Sequence, residues 1–459
     1  MMGVDRTKLP RPGPVPSFDL PEVRRQRLDN GLGLWTVEHR GVSLVAALLL
    51  FPVGSASDPA VSPGLAAATA DLLDEGSGDL SAAELHEALA RVGGYLSIGV
   101  TSDATVIDLL MLSRFTERGL ALLADIAGRP RMQAEDVERV LALRLNRFMQ
   151  LREVPSAVAD RAFARLAYGD HPYGHVPLGT EESLRGLGRE ELLAFSRLAC
   201  RPDGATLILV GDRSHDELTR AAHASFAAWE VERPAGEQAS RADPASVAVG
   251  APSSDRLVLA NRPAAAQSEL RIGLPAAARR DPDYHTLLVL NTVLGGQFAS
   301  RINLNLREDK GYTYGARSFF DFRRGAGPFV VQASVQTDKT AASIQEIFGE
   351  IEGIRRERPV TQEELALARA ALTRGYPRGF ETVEQVARAL GQLALHGLPE
   401  SELTQFTERI ERVDAPMVTE AAHRHLDPDA LSTVVVGDRD SVEPSLESLG
   451  RGRPREITP

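Results

Sequence analysis

The sequence predicts an α+β fold built from two homologous domains, each a mostly antiparallel sheet packed with helices on one face. Three observations lead there. The chain has 459 residues, about three times the ~150 expected of one domain. Its strand-like and helix-like segments are mixed rather than strictly alternating, which argues against a doubly wound parallel sheet. One pattern also recurs: Ala205-Thr-Leu-Ile-Leu-Val-Gly-Asp-Arg213 closes the first half and Leu431-Ser-Thr-Val-Val-Val-Gly-Asp-Arg439 closes the second. A lone strand ending in Gly-Asp means little, but its return at the same place suggests an internal duplication. Helical stretches 135–150 and 362–374 stand at corresponding distances before these strands.

The elements follow in order. Residues 1–27 are polar and proline-rich and read as an extended N-terminal arm without the apolar stretch of a secretory signal. Leu28-Asp29-Asn30-Gly31-Leu32 is a turn signal before a strand at 34–38. Residues 42–53 are a nearly continuous apolar run. That suits a strand buried on both faces and is shorter than the ~18 apolar residues a membrane span needs. Ser62-Pro63 offers an N-cap and a first-turn proline for a helix running through Leu72-Leu73 to Gly76. Ser81 with Glu84 makes a capping box for another. Further helical stretches lie at 114–126, 134–151 and 158–166. Residues 233–254, rich in Pro, Ala, Ser, Gly and Glu, read as a linker between domains 28–232 and 255–459.

Composition excludes several classes. Apolar residues at 43% and charged residues at 25% are ordinary globular usage. The net charge of −11, from 63 acids against 52 bases, argues against a nucleic-acid partner. Cys200 is the one cysteine, which rules out an intramolecular disulfide and any cysteine zinc cluster. No Gly-x-Ser-x-Gly elbow supports a serine hydrolase. His171 and His175 are four apart, but Pro172 and Gly174 break a helix there, so they shape a loop rather than bind zinc. His423 and His425 suit a surface helix end. No membrane partner is expected. The cytoplasm is the default location, or the periplasm if a leader has been removed.

The most informative stretch is Leu294-Gly-Gly-Gln-Phe-Ala-Ser-Arg-Ile-Asn-Leu-Asn-Leu-Arg-Glu-Asp-Lys-Gly-Tyr-Thr-Tyr-Gly315. It reads as helix, Gly-Gly break, helix, then strand. Phe298, Ile302 and Leu306 recur at helical spacing, Gly311 is placed as a C-cap, and residues 312–319 alternate as a strand with Tyr314 on one face. The pattern Gly-Gly-x-x-x-Ser-Arg, then Leu-Arg-Glu-x-x-Gly-x-x-Tyr, resembles the second-half signature of the M16 (pitrilysin-like) zinc metallopeptidases. Residues 28–32, Gly54-Ser55, Gly64-Leu65-Ala66, Gly76-Ser77 and His171-Pro-Tyr-Gly-His175 fit the same family, as does the duplication.

The resemblance fails where the metal belongs. An active member carries His-x-x-Glu-His on the helix after Gly-Leu, with two histidines on one helix face and the glutamate as general base. Here those slots hold Ala67, Ala70 and Asp71. The family's third ligand is a glutamate on a later helix, and the matching residues 139–152 contain no acid. The expectation is therefore no metal and no cofactor in this chain, with Ala67, Ala70 and Asp71 in plain helix packing and the Asp exposed or capped.

The resemblance implies that Arg307 and Tyr314 are the catalytic residues retained. In peptide hydrolysis negative charge grows on the scissile carbonyl oxygen, and donors aimed at it stabilise the transition state. Tyr314 offers one phenolic donor and Arg307 five donors with permanent charge. Some M16 enzymes are heterodimers in which one subunit holds zinc and the other supplies this pair, so the implied partners are a zinc-bearing M16 homologue and a peptide. The peptide would add as a strand to a sheet edge, and the partner would bury a large surface. Homodimerisation of the isolated chain stays open. The other reading is a catalytically silent structural or peptide-holding subunit, like the core proteins of respiratory complexes. The residues also admit plainer roles: Arg307 as a helix-end arginine pairing Glu308 or Asp309, Tyr314 and Tyr312 as sheet aromatics, and Gly295-Gly296 as a close-packing site.

Overall fold

A computed structural model of the chain describes residues 13, 19–229, 243–250 and 256–458. The first half supplies strands β1 (Val23–Arg27), β2 (Gly33–Glu38), β3 (Leu44–Phe51), the short ribbon β4 (Gly76–Ser77) and β5 (Leu80–Ser81), then β6 (Tyr95–Val100), β7 (Thr105–Leu112) and β8 (Thr206–Gly211). The second supplies β9 (Leu257–Asn261), β10 (Gln267–Ala277), β11 (Thr313–Phe320), β12 (Gly327–Gln336), β13 (Ser432–Gly437) and β14 (Arg455–Ile457). They form two six-stranded sheets of order β1-β2-β8-β3-β7-β6 and β11-β12-β10-β13-β9-β14.

Read backwards, the second order maps onto the first. The parallel pair β2–β8 corresponds to β9–β13, and the antiparallel run β8-β3-β7-β6 to β13-β10-β12-β11. The repeated Val-Gly-Asp strands, β8 and β13, hold equivalent places inside the sheets. The expected α+β duplication with mostly antiparallel sheets is what the chain adopts. The halves differ at one edge: β1 comes from the N-terminal side and runs antiparallel to β2, whereas β14 comes from the C-terminal side and runs parallel to β9.

Two expectations need adjusting. The last part of the extended arm is extended, but it is paired as β1, with the Arg25 guanidinium 4.0 Å above the Trp35 ring. Residues 1–12 and 14–18 of the arm lie outside the described residues, as do 230–242 and 251–255 of the linker region. Between them residues 243–250 are anchored, because Asp243 caps the turn Pro244–Ser246 and pairs with Arg324 at 3.1 Å.

The second adjustment concerns sheet coverage. One face of each sheet packs on helices of its own half, in cores containing Leu34, Leu49, Ile107 and Leu209, and Ile272, Leu290, Phe329 and Val435. The other face is covered by a helix from the opposite half. Helix Pro155–Tyr168 lays Val158, Ala159, Phe163 and Leu166 on Val258, Val330, Val434 and Val436. Helix Val383–His396 lays Val386, Ala387, Leu390 and Leu393 on Val37, Leu48, Ile208 and Val210. The inner strands are apolar on both faces, so a one-sided cover would leave a valine and leucine surface in water. Glycines permit the close approach: a Cβ on Gly391 would lie 3.3 Å from Leu48, and one on Gly273 would lie 3.0 Å from the Phe163 ring.

A buried polar latch adds to this. Asp103 accepts from the Tyr173 hydroxyl at 2.6 Å and from the Arg324 backbone at 2.7 Å, and Gly325 N–H donates to the same hydroxyl. The segment His171-Pro-Tyr-Gly-His175 is a loop, as read from the sequence. The His171 ring meets Val247 O at 3.2 Å, and the His175 ring meets Ser55 O at 2.9 Å and Asp58 at 3.1 Å.

Candidate functional site

The helix that carries the three degenerate slots is Leu65–Ala70. It does not start on Ser62. Its N-cap is Gly64, held at φ +95°, where a Cβ would come within 2.9 Å of Leu178 O. The capping group is the Asp58 carboxylate, which accepts from Gly64 N and Ala66 N at 2.7 Å each. Two orphan donors are thereby satisfied, with negative charge at the positive end of the helix. A left-handed glycine packed on the neighbouring loop displaces the Ser-Pro start by two residues.

Ala67 and Ala70 are buried. Asp71 is exposed, as expected, and its Oδ2 is in addition bound by Arg144 Nη1. Arg144 comes from the helix Ala134–Leu151, the element in which the third ligand was sought. Its side chain is 9% exposed, and its Nη2 donates to Pro177 O at 3.1 Å and Leu178 O at 3.4 Å. Sequence reasoning missed Arg144, although a signal was present. Val137, Val140, Arg144 and Phe148 form the buried stripe of that helix, and a charge in such a stripe requires a partner. Two methyls, a carboxylate already engaged and a fixed positive charge do not fit a zinc ion.

One other group among the described residues has metal-like spacing: Asp281, Asp283 and His425. Arg424 already neutralises Asp283 at 2.8 Å, and Asp283 N–H fills Asp281.

In the second half, Gly295-Gly296 serves close packing. Gly295 O accepts from Ser318 N at 2.9 Å, and a Cβ there would lie 2.4 Å from Ser318 Oγ. The helix after it is not regular. It begins as Arg301–Asn303 and continues as a π-helical turn, Leu304–Asp309, with Gly311 at φ +67° closing it. π-turns are rare and frequent at functional sites. Ile302 and Leu306 are buried as the spacing predicts, but Phe298 is an exposed ring. Arg307, on the π-turn, stacks over Phe298 at 4.4 Å and lies 3.3 Å from Glu308. Arg301 is structural: its guanidinium grips Glu364 at 2.6 and 2.8 Å. Burial pushes the Glu364 carboxyl up, but the Arg301 and Thr361 hydrogen bonds outweigh it and bring the pKa down to about 2.

Tyr314 sits on β11, the outermost strand of its sheet. The ladder to β12 jumps from Thr313↔Val335 to Ala316↔Ala333, which is a bulge. A bulge leaves one residue unpaired and re-aims its side chain. Tyr314 stands out at 91% exposure, and its hydroxyl bonds no other described residue. Thr313 Oγ1 shapes the bulge by donating to Ser334 O at 2.6 Å and accepting from Gly315 N at 3.1 Å. Asn303, buried, joins the two features: its Oδ1 accepts from Ala316 N at 3.0 Å and its Nδ2 donates to Phe298 O at 2.7 Å. The ring beneath Arg307 and the bulge that bears Tyr314 thus share one strut. The sequence does not single out Asn303, and it places Phe298 only in an apolar helical stripe, because their roles depend on contacts 13 and 9 residues away (316 − 303 and 307 − 298).

Comparison with known proteins agrees with this architecture. Residues 36–181 match the family described as Insulinase (Peptidase family M16), and residues 186–372 match Peptidase M16 inactive domain. The chain belongs to the M16 peptidase family. Among its relatives is an uncharacterized zinc protease of Mycobacterium tuberculosis, 26% identical over 94% of this chain and 97% of the relative. A probable mitochondrial-processing peptidase subunit beta of Schizosaccharomyces pombe is 26% identical over 60% of this chain and 59% of its own length. In fold, the chain is similar to a peptidase M16 inactive domain structure from Pseudomonas fluorescens, with TM-score 0.81, 24% identity and coverage of 91% and 98%. It is also similar to a Helicobacter pylori protease, with TM-score 0.83, 18% identity and coverage of 91% and 100%. No helix among the described residues is long and apolar enough to cross a membrane.

Proposed function

We propose that this chain is the non-zinc-binding subunit of a heterodimeric M16 metallopeptidase, supplying Arg307 and Tyr314 to the cleft of a partner that carries His-x-x-Glu-His. The observation that carries this reading is the bulged, 91% exposed Tyr314 on the outermost strand of its sheet, whose hydroxyl bonds no other described residue and whose strand is tied through Asn303 to the backbone of Phe298, the residue under Arg307. A tyrosine serving only to fill a sheet would pack against its neighbours. In the proposed complex the Tyr314 hydroxyl donates to the carbonyl oxygen as it gains charge. The Arg307 guanidinium holds substrate carbonyls or steadies the tyrosine. The peptide lies extended along a strand edge and is read chiefly through its backbone. This chain holds no metal or other cofactor, and zinc belongs to the partner.

The second reading, a catalytically silent structural or peptide-holding subunit, is favoured by Arg307 being engaged by Phe298 and Glu308 within its own chain. The experiment that separates them mixes the chain with its zinc-bearing homologue and assays peptide cleavage. Removing one oxyanion donor costs roughly 10²–10³ in kcat. Tyr314→Phe should show a loss of that order in the mixture without weakening association. Unchanged turnover would rule the catalytic role out.

A further inference from the structure

We infer that Arg144 stands in for the metal: its guanidinium is a tethered cation occupying the place that a dication would take between the helix Leu65–Ala70 and the helix Ala134–Leu151. Three features carry this. First, the two elements that the family resemblance assigns to metal ligation are the two that this ion pair joins. Asp71, in the last ligand slot of one helix, binds Arg144 from the other. Second, Arg144 is inserted at a position of the buried stripe between Val140 and Phe148, so its charge is held inside the protein. Third, the guanidinium is distributed as a bridging cation would be, over one carboxylate and the carbonyls of Pro177 and Leu178. That loop is also the one against which Gly64 packs at the start of the Leu65–Ala70 helix. A dication brought to Asp71 would meet a positive charge that cannot leave, because arginine does not deprotonate in proteins.

Restoring ligands to the first helix therefore does not restore zinc binding while Arg144 remains. The inference rests on the assignment of Ala67, Ala70 and Asp71 to the metal slots and not on any role of Arg307 or Tyr314, so its failure leaves those roles untouched.

The test compares zinc affinity, by competition with a chromophoric chelator and by metal content after dialysis, in two full-length variants. One carries Ala67→His, Ala70→Glu and Asp71→His with Arg144 kept. The other adds Arg144→Glu, and circular dichroism with thermal melting checks that both fold. If the second fails to fold, Arg144→Gln replaces Arg144→Glu. The expected result is one zinc per chain in the variant lacking Arg144, and binding weaker by roughly a hundredfold or more in the variant that retains it. Comparable affinity in both variants would overturn the inference. So would no binding in either, since the guanidinium would then not mark a cation's place.

Discussion

Asn303→Ala is the sharpest perturbation of the second-half site, because its cost follows from two hydrogen bonds. The wild-type side chain accepts from Ala316 N at 3.0 Å and donates to Phe298 O at 2.7 Å, and both Asn303 and Ala316 are buried. Alanine leaves the Ala316 N–H and the Phe298 carbonyl without partners. Each unsatisfied group costs about 1–3 kcal/mol when water cannot reach it. Phe298 is exposed, so its carbonyl is charged at the low end. The expected loss is about 2–4 kcal/mol, read as a lower urea midpoint at unchanged slope. Hydrogen exchange should rise locally at Ala316 and its neighbours. In the mixed peptidase assay the same variant should lower kcat in the manner of Tyr314→Phe, because the bulge and the ring under Arg307 lose their common strut. Asn303→Asp keeps the acceptor for Ala316 but not the donor for Phe298, and should recover part of the loss. A stability change below ~0.5 kcal/mol, with the Ala316 amide still protected, would refute the assignment of Asn303 as the strut.

Other outcomes follow from the same contacts. Leu390 is fully buried on the helix that covers the first sheet, so Leu390→Ala should cost about 2–5 kcal/mol in a chemical denaturation experiment. Residues 19–232 expressed alone lack that helix and should aggregate or expose dye-binding surface, whereas co-expression with residues 255–459 should restore a soluble pair on size-exclusion chromatography. Burial pushes His285 and His396 down to about 4 from 6.5, the Glu402 charge opposing it at His285. The unfolded chain therefore binds more protons between these values. Stability is full above pH ~6.5 and falls as pH drops toward ~4, by at most ~1.4 kcal/mol per unit for each ring. His396→Gln should flatten that slope in pH-dependent melting, and an unchanged slope would count against the burial argument.

The sequence by itself determined the duplication, the mixed fold and the presence of Ala67, Ala70 and Asp71 where the family resemblance places metal-site residues. These are local statements: a repeated Val-Gly-Asp strand, apolar runs of strand length, and alanines where imidazoles and a carboxylate would have to stand. Spacing also placed Arg307 on a helix and Tyr314 on the strand after Gly311, and resemblance to a family singled the two residues out. Tertiary structure decided how those parts are used. The second face of each sheet is covered by a helix from the other half of the chain, which no periodicity within either half encodes. The π-turn under Arg307 and the bulge at Tyr314 arise from strand register and from Asn303 reaching across a loop, so alternation alone presented Tyr314 as an ordinary strand residue. Arg144 is the clearest case. Its stripe position announced that a buried charge needed a partner, but only the packing of two helices and a loop chose Asp71, because ion pairing depends on distance in space and sequence separation says nothing about it.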